Sequence, residues 1–274
     1  GIRGASDIRS IEDTVDTEGS VFAVGSALGG LTSYEIRYYF ATLEEDMKKG
    51  TDNAFRVTLS KRLMDYRPCI VEKVTPLSRD LGLLRFYKRT NAEPGQFVFL
   101  KVGNEESKPF SVAKNNPLEL IVRDAGKVTK KIFNLKRHTV VRMRGPYGVP
   151  HRFRDEDTVC FVGAGCGIAP IRLGASYHKG KKVFVFGVKT ASELVYLDEF
   201  RRMGEVHCIT EDGSYGGKGV ITDLLSQLLD ETTQSNEAGL LGQIIREENG
   251  NVRFYNCGPE RMLKRAGEIE ATVV

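Results

Sequence analysis

Two hydrophobic patterns divide most of the chain. Between residues 67 and 147 the apolar positions fall in six short runs, bounded by Pro, Gly, Asn and Asp: CIVEKVTPL, LGLLRFYKR, GQFVFLKV, KPFSVA, LELIVRD and TVVRMRG. Short runs rich in β-branched and aromatic residues are typical of strands. Six of them in about eighty residues predict a small antiparallel β-barrel or sandwich.

From Thr158 onward, strand-like and helical patterns alternate. The strand-like runs are TVCFVG, KKVFVFG, EVHCIT and VRFYNCG, and the helical ones are a helix through Leu173, SELVYLDEF, VITDLLSQLL and PERMLKRAGEI. This βαβ alternation predicts a parallel sheet covered by helices. We therefore expect a β-barrel domain over residues 58–150 and an α/β domain over residues 151–274, with a polar loop at 230–239.

Residues 1–57 fit neither domain. They contain a helical IEDTVDTEG, a short run VFAVGSALGG and an amphipathic TSYEIRYYFATLEEDMKKG, which together predict a short α/β N-terminal extension. The first residue is Gly rather than Met, and we take this as the sign of a processed or trimmed terminus.

Composition narrows the classes of function. The 274 residues carry a net charge of +4, and the Lys and Arg residues form no long block, so we expect no nucleic-acid partner. No signal peptide and no apolar run of about 18 residues is present, which predicts a soluble cytoplasmic protein without a membrane partner. Five cysteines at 69, 160, 166, 208 and 257 form no C-x-x-C pair, which argues against disulfides, zinc and other metal sites. The four histidines are unclustered, which argues against hydrolase chemistry. We therefore expect cofactors to carry the reaction.

A glycine-rich turn lies in TVCFVGAGCGIAPIR, between the first strand and the first helix of the α/β part. Backbone N–H groups at a helix N-terminus can cradle a phosphate, and Pro170 suits the first turn of that helix. The same glycines could equally form only a tight connection. Because the spacing is not G-x-G-x-x-G, and VFVFGVKT carries no acidic residue where the dinucleotide fingerprint expects one, the turn alone leaves both interpretations open.

The KPFSV run of the predicted barrel combines a cation, a proline, an aromatic ring and a hydroxyl. Strand alternation places Lys108 and Phe110 on one face and Pro109 and Ser111 on the other. A flavin needs such groups for its pyrophosphate, its ring system and its reactive nitrogen, although an ordinary barrel strand is the alternative. Downstream, RDAGKVTKKIF offers a glycine and a threonine at a predicted helix start, a second possible phosphate cradle.

Two further segments follow predicted parallel strands. Glu211 and Asp212 come directly after EVHCIT, and Cys257 ends VRFYNCG ahead of a helix that opens at Pro259. Doubly wound sheets bind ligands at the carboxyl ends of their strands. These side chains are therefore candidates for a shared crevice, with a small buried residue as the alternative for Cys257.

The order of these segments resembles that of the ferredoxin–NADP reductase superfamily. The segments are the barrel with KPFS, the Gly/Thr cradle, GAGCGIAP, YLDEF, EDGSYGGKG and CGPERM. The resemblance covers residues from about 66 to 269 and is closest to electron-transfer subunits of type B dihydroorotate dehydrogenase. It implies an FAD-dependent oxidoreductase that moves electrons from NAD(P)H to an FMN-containing dihydroorotate dehydrogenase subunit of pyrimidine biosynthesis, or to another redox protein. The alternatives are a reductase for a ferredoxin, hydrogenase or sulfur-reducing complex, and a flavin-free regulatory protein of the same fold.

The resemblance also implies a role for individual residues. Flavin binding falls on Lys108, Pro109, Phe110, Ser111, Ile121, Val122, Arg123, Val128 and Thr129. Nicotinamide-nucleotide binding falls on Gly163, Gly165, Cys166, Gly167, Ile168, Ala169, Pro170, Glu211, Asp212, Gly258 and Pro259. Ser111 near flavin N5 and Cys257 beside the nicotinamide are the implied catalytic residues. Carboxylates at the ribose position favour NAD(H) over NADP(H), whereas Lys189 favours the opposite preference.

Three departures from the resemblance change these expectations. Lys108 replaces an arginine and Val128 a glycine, so we expect weaker flavin binding than in relatives. Relatives continue into a cysteine-rich tail that holds a [2Fe–2S] cluster, whereas this chain stops at Val274, so we expect no iron–sulfur cluster from this chain.

Residues 1–57 resemble the C-terminal tail of the FMN-binding dihydroorotate dehydrogenase barrel. A whole barrel needs about 200 residues, so we do not expect this chain alone to bind FMN.

Overall fold

The structure, a computed structural model, describes residues 66–229, 240–248 and 252–270. The predicted N-terminal extension and the predicted loop at 230–239 lie outside these residues. Within them, none of the helices is long and apolar enough to cross a membrane.

The first half of the described chain is a closed six-stranded antiparallel barrel, as predicted, and not a sandwich. The strands run in the order β1-β2-β5-β4-β3-β6 around it. Their bounds are Arg67–Pro76 (β1), Leu81–Phe86 (β2), Phe97–Lys101 (β3), Lys108–Asn115 (β4), Leu118–Arg123 (β5) and Val140–Tyr147 (β6), with helix α1 at Lys127–Phe133. Alternate residues fill the interior, and Ile132 of α1 is fully buried against them.

The second half is a parallel sheet in the order β10-β9-β8-β7-β11. Its strands are Thr158–Ala164 (β7), Lys182–Val188 (β8), Glu205–Thr210 (β9), Gly217–Lys218 (β10) and Val252–Cys257 (β11). Its helices are Ile168–Tyr177 (α2), Leu197–Met203 (α3), Ile221–Leu229 (α4), Leu240–Glu247 (α5) and Glu260–Glu270 (α6). The predicted βαβ order is confirmed. Helix α5 was not among the predicted elements.

The central strands β7 and β8 are buried on both faces, as a parallel sheet covered by helices requires. On one face, Phe161, Phe184, Phe186 and Phe200 form a chain of ring contacts with centroids 4.7–5.9 Å apart. This rigid packing fixes the carboxyl ends of β7 and β8, where the candidate site lies.

Two predicted local structures differ from the observed ones. SELVYLDEF is not one helix, because a 3-10 turn covers Ala191–Glu193, Tyr196 has a left-handed φ of 64° and α3 begins only at Leu197. The cause is tertiary: the Tyr196 hydroxyl donates to Glu119 of the barrel over 2.6 Å. RGPYG at residues 144–148 is typical of a tight turn that closes the barrel, but it is not wholly a turn, since β6 continues to Tyr147.

The barrel strands and the sheet belong to one compact unit. Leu173 of α2 packs in the barrel core, while Leu81, Ala113 and Ile121 of the barrel pack with the sheet. The Arg172 guanidinium also donates to the Ala113 carbonyl over 3.2 Å. The barrel and the sheet therefore pack in a fixed relation. The predicted domain boundary at residue 150 stays a prediction.

Candidate functional site

The glycine-rich turn occupies the carboxyl end of β7, where a 3-10 turn over Gly165–Gly167 leads into α2. Gly165 has a φ of +54°, a backbone conformation that side chains disfavour. A Cβ on Gly163 would lie 2.4 Å from Cδ1 of Ile171, so this glycine lets α2 pack closely on β7. The turn thus leaves Gly165 and Cys166 partly exposed.

The last strand of the sheet completes this turn. β11 pairs in parallel with β7 and sets Cys257 opposite Gly163. A Cβ on Gly167 would lie 1.9 Å from the carbonyl oxygen of Cys257 and 3.1 Å from the amide nitrogen of Gly258. The structure therefore brings together the two segments that the sequence placed in one crevice.

Both cysteines at this turn are held as neutral thiols. Burial raises the pKa of Cys257 to about 12, and a hydrogen bond with Tyr255 opposes this only in part. Burial also raises the pKa of Cys166, against the lowering effect of Arg123. A thiol that stays protonated near neutral pH is a weak nucleophile and a weak metal ligand. Its contribution here is shape and polarity.

Arg123, at the end of barrel strand β5, is the residue that joins the barrel to the glycine turn. Its Nη2 lies 3.0 Å from the position that a Cβ on Gly165 would take. Its Nη1 contacts Asp80 at 2.6 Å, and its Nη2 contacts Glu193 at 3.3 Å. The predicted flavin strand and the predicted nucleotide turn therefore meet at this guanidinium.

Two carboxylates around Arg123 were not singled out in the sequence. Asp80 lies on the β1–β2 hairpin, and Glu193 is fully buried just after β8, where it accepts from the Ser78 hydroxyl at 2.6 Å. Lys189 also contacts Asp80, at 2.9 Å, and with Arg123 it holds the pKa of Asp80 down at about 2. The position of Glu193 at the carboxyl edge of the sheet was a usable signal. Nothing in the local sequence marks Asp80.

The KPFS segment forms the start of β4, paired with β3 so that Ser111 lies opposite Phe97. Lys108, Pro109, Phe110 and Ser111 are all partly exposed, whereas the next two residues are buried. A partly exposed strand with these groups fits a flat aromatic ligand that carries a charged tail. Lys108 lies 2.8 Å from Glu106, so part of its charge is already engaged.

The second predicted cradle lies at the start of α1. No atom lies within 4 Å of a Cβ built on Gly126, so the backbone there is open. The Thr129 hydroxyl accepts from the Ala125 amide at 2.9 Å and donates to the Gly126 carbonyl. The Thr129 hydroxyl is therefore engaged with the backbone just ahead of α1, and Val128 packs against the barrel core. The open backbone, together with the lysines of α1, is what could hold an anion here.

Several other predicted site residues have buried side chains. Val122 lies in the barrel core, and Ile121, Ile168 and Ala169 lie in the core shared with the sheet. Pro170 is buried as well, in the first turn of α2. Their contact with a cofactor would have to come from backbone atoms, because their side chains are packed elsewhere.

Glu211 and Asp212 lie at the carboxyl end of β9, and both are exposed. The Asp212 carboxylate accepts from the Ser214 amide at 2.9 Å and from the Ser214 hydroxyl, which keeps its pKa below the ordinary value. The Asp212 amide donates to the Lys189 carbonyl at 3.2 Å. The two carboxylates thus share the sheet edge with Lys189, on the same edge as the glycine turn.

The chain is similar to known proteins in sequence and in structure. No protein-family model matches the chain. The chain is 32% identical over 203 residues to the probable dihydroorotate dehydrogenase B (NAD(+)) electron transfer subunit of Thermococcus kodakarensis, covering 73% of this chain and 77% of that protein. It is 28% identical over 220 residues to the corresponding Fusobacterium nucleatum subunit, covering 73% and 78%.

Solved structures share the fold. An NADH-dependent reduced ferredoxin-NADP oxidoreductase superposes with a TM-score of 0.61 at 24% identity, over 74% of this chain and 72% of that one. A ferredoxin NADP+ reductase from Neisseria gonorrhoeae, with bound FAD and NADP, superposes with a TM-score of 0.59 at 15% identity, over 76% and 91%. At these identities the likeness concerns the arrangement of barrel and sheet.

Proposed function

Since the chain belongs to the family of dihydroorotate dehydrogenase B electron-transfer subunits, we propose that it takes electrons from NAD(P)H through a bound FAD and delivers them to a partner protein. The observation that carries this proposal is the contact of Arg123 with the glycine turn. It joins the barrel strand assigned to flavin with the turn assigned to the nicotinamide nucleotide. Hydride transfer between two cofactors needs such a shared crevice, because the reacting atoms must approach to about 3–3.5 Å.

On the barrel side, β4 and α1 are the elements assigned to the flavin. Lys108 offers a cation to the pyrophosphate and Ser111 a hydroxyl to the flavin N5 region. Phe110 packs against the barrel core, so it offers the ring system only the exposed part of its side chain. A bound flavin supplies the capacity to accept electrons in pairs and release them singly or in pairs. The protein supplies position and charge, and its single lysine at 108 makes a point contact rather than a fork.

On the sheet side, the backbone from Gly163 to Pro170 is assigned to the nicotinamide nucleotide, together with Gly258 and Pro259. The Cys257 thiol stays protonated and borders the turn, so it can shape the nicotinamide pocket without reacting with it. The Arg123 guanidinium, whose charge is offset by Asp80 and Glu193, would lie between the two proposed cofactor positions.

We assign Glu211 and Asp212 to the adenosine ribose and therefore propose a preference for NADH. Carboxylates can accept hydrogen bonds from ribose hydroxyls and repel a 2′-phosphate. Steady-state assays with an artificial acceptor test this preference. We expect kcat/KM to be about tenfold higher for NADH than for NADPH, which corresponds to roughly 1.4 kcal/mol; equal values would remove both carboxylates from the ribose site.

The proposed acceptor is the FMN-containing catalytic subunit of a dihydroorotate dehydrogenase. In the described part of the chain, no group of three or more His, Cys, Asp or Glu is arranged to hold a metal ion. That this chain carries no iron–sulfur cluster stays a prediction, as does its cytoplasmic location. Iron and acid-labile sulfide determination on the purified chain tests it, and stoichiometric amounts of both would contradict it.

The decisive experiment is the visible spectrum of the protein, purified or reconstituted with FAD, before and after anaerobic addition of NADH. We expect the bands of oxidised flavin, and their bleaching by NADH. Orotate reduction after addition of the catalytic subunit would then identify the acceptor, and ferredoxin in its place tests the alternative reductase. A protein that takes up no flavin would instead be the non-catalytic member of the fold.

A further inference from the structure

Lys189 stands beside the proposed ribose site, yet its charge is directed elsewhere. Its main chain follows β8 and accepts a hydrogen bond from the Asp212 amide at 3.2 Å. Its ammonium instead reaches the barrel, where Nζ lies 2.9 Å from Oδ2 of Asp80. A lysine at the end of this strand could otherwise attract a 2′-phosphate.

Asp80 is well fixed as the acceptor of that ammonium. The same Oδ2 contacts Arg123 at 2.6 Å, and Oδ1 accepts from the Ser78 hydroxyl at 3.2 Å. Arg123 is in turn paired with the buried Glu193. These contacts hold the Asp80 carboxylate in place beside Lys189. The carboxylate stays ionised at physiological pH because its pKa lies at about 2.

We propose that Asp80, a barrel residue, sets the nucleotide selectivity of the sheet by withholding Lys189 from the ribose site. With the ammonium held on the barrel, Lys189 adds no positive charge beside Glu211 and Asp212 at the proposed ribose site. A nucleotide with a 2′-phosphate then meets the repulsion of these carboxylates without the offsetting charge of Lys189. The inference rests on the proposed function, and it makes Asp80 and Lys189 determinants of specificity rather than catalytic residues.

Three variants test the inference: Asp80→Asn, Lys189→Met and the double variant. The measured quantity is the ratio of kcat/KM for NADPH to kcat/KM for NADH. Asp80→Asn should raise this ratio about three- to fivefold, the effect of one partly exposed charge. Lys189→Met should leave it unchanged, because the lysine charge is already engaged. The double variant should return to the wild-type ratio, since no ammonium remains to be released.

Glu268→Gln is the matched control, because it removes an exposed ion pair with Arg265 on α6. It should leave the ratio unchanged. An unchanged ratio in Asp80→Asn, or a raised ratio that persists in the double variant, overturns the inference. A fall in the ratio for Lys189→Met also overturns it, because the lysine would then already serve NADPH; this arm does not depend on the folding of Asp80→Asn.

Calorimetry with 5′-AMP and adenosine 2′,5′-bisphosphate provides a readout without turnover. We expect Asp80→Asn to bind the bisphosphate about three- to fivefold more tightly and AMP as the wild type does. If AMP binds and the preference does not move, only the inference fails. If the wild type and all variants bind neither nucleotide and are not reduced by NADH, the proposed function fails and the inference with it.

Discussion

Replacing Gly167 by alanine should separate the glycine turn from the last strand. The added Cβ would lie 1.9 Å from the carbonyl oxygen and 2.5 Å from the carbonyl carbon of Cys257. Non-bonded heavy atoms prefer separations of about 3.5–4.0 Å, so the two segments must move apart by more than roughly 1 Å. Both obstructing atoms belong to the backbone of a paired strand, so no side-chain rotation relieves the clash.

The expected cost is at the upper end of that for overpacking, about 3 kcal/mol. For a chain of this size we expect the Tm to fall by about 6–12 °C. Because the displaced turn is the proposed nucleotide site, NADH binding should weaken at least tenfold. Differential scanning calorimetry measures the first effect, and titration calorimetry with NADH the second, at temperatures well below the Tm of the variant.

Gly267→Ala is the matched control for Gly167→Ala. Gly267 lies in α6, it is exposed, and no atom lies within 4 Å of an added Cβ. Alanine there should stabilise the helix by about 0.5–1 kcal/mol and leave NADH binding unchanged. A Gly167→Ala protein with the Tm and the NADH affinity of the wild type would show that β11 does not pack against the turn.

Three further predictions follow from other contacts. Lys108→Ala should weaken FAD binding by about 1.5–3 kcal/mol, seen as lower flavin occupancy, while Lys264→Ala on α6 should not; equal occupancy in all three proteins would remove Lys108 from the flavin site. Tyr196→Phe should lower the unfolding free energy by about 1.5–3 kcal/mol in urea denaturation, because it breaks a partly buried hydrogen bond to the Glu119 carboxylate; an unchanged midpoint would contradict this. Asp80 has a folded pKa of about 2 against an ordinary value near 4, so its stabilising effect is present above about pH 4 and lost as the pH falls toward 2. The difference in unfolding free energy between wild type and Asp80→Asn should shrink over that pH range. A constant difference would show that the ionised Asp80 carboxylate does not stabilise the fold.

Periodicity and turn residues predicted most of the architecture. The six barrel strands and the βαβ order depend on local hydrophobic patterns, which each segment carries within itself. The neighbourhood of Gly163 and Cys257 was also predictable, because the carboxyl ends of parallel strands meet at one edge of a sheet. Local sequence was sufficient to predict a contact where the topology of the sheet alone brings the two segments together.

The cluster around Arg123 was not predictable in this way. Asp80 and Lys189 are 109 positions apart and meet only because α2 and the turn after β8 pack on the barrel. The same packing explains the wrong helix over SELVYLDEF, where the contacts of Glu193 and Tyr196 with the barrel replace helical hydrogen bonds. Tertiary contacts of this kind override helix propensity, and the local sequence of a segment gives no sign of them.

The position of β11 governs the order in which the molecule can be built. Strand β7 is synthesised early and waits for β11, since Val252 pairs with Thr158 across about ninety residues of intervening chain, a slow, non-local contact. The six barrel strands, by contrast, have all been synthesised once β6 has emerged, and Leu173 of α2 joins their core soon after. A nascent chain can therefore close its barrel while the glycine turn still lacks the Cys257 carbonyl against which it packs. We therefore expect the part assigned to FAD to mature first and the part assigned to NAD(P)H to follow when β11 is in place.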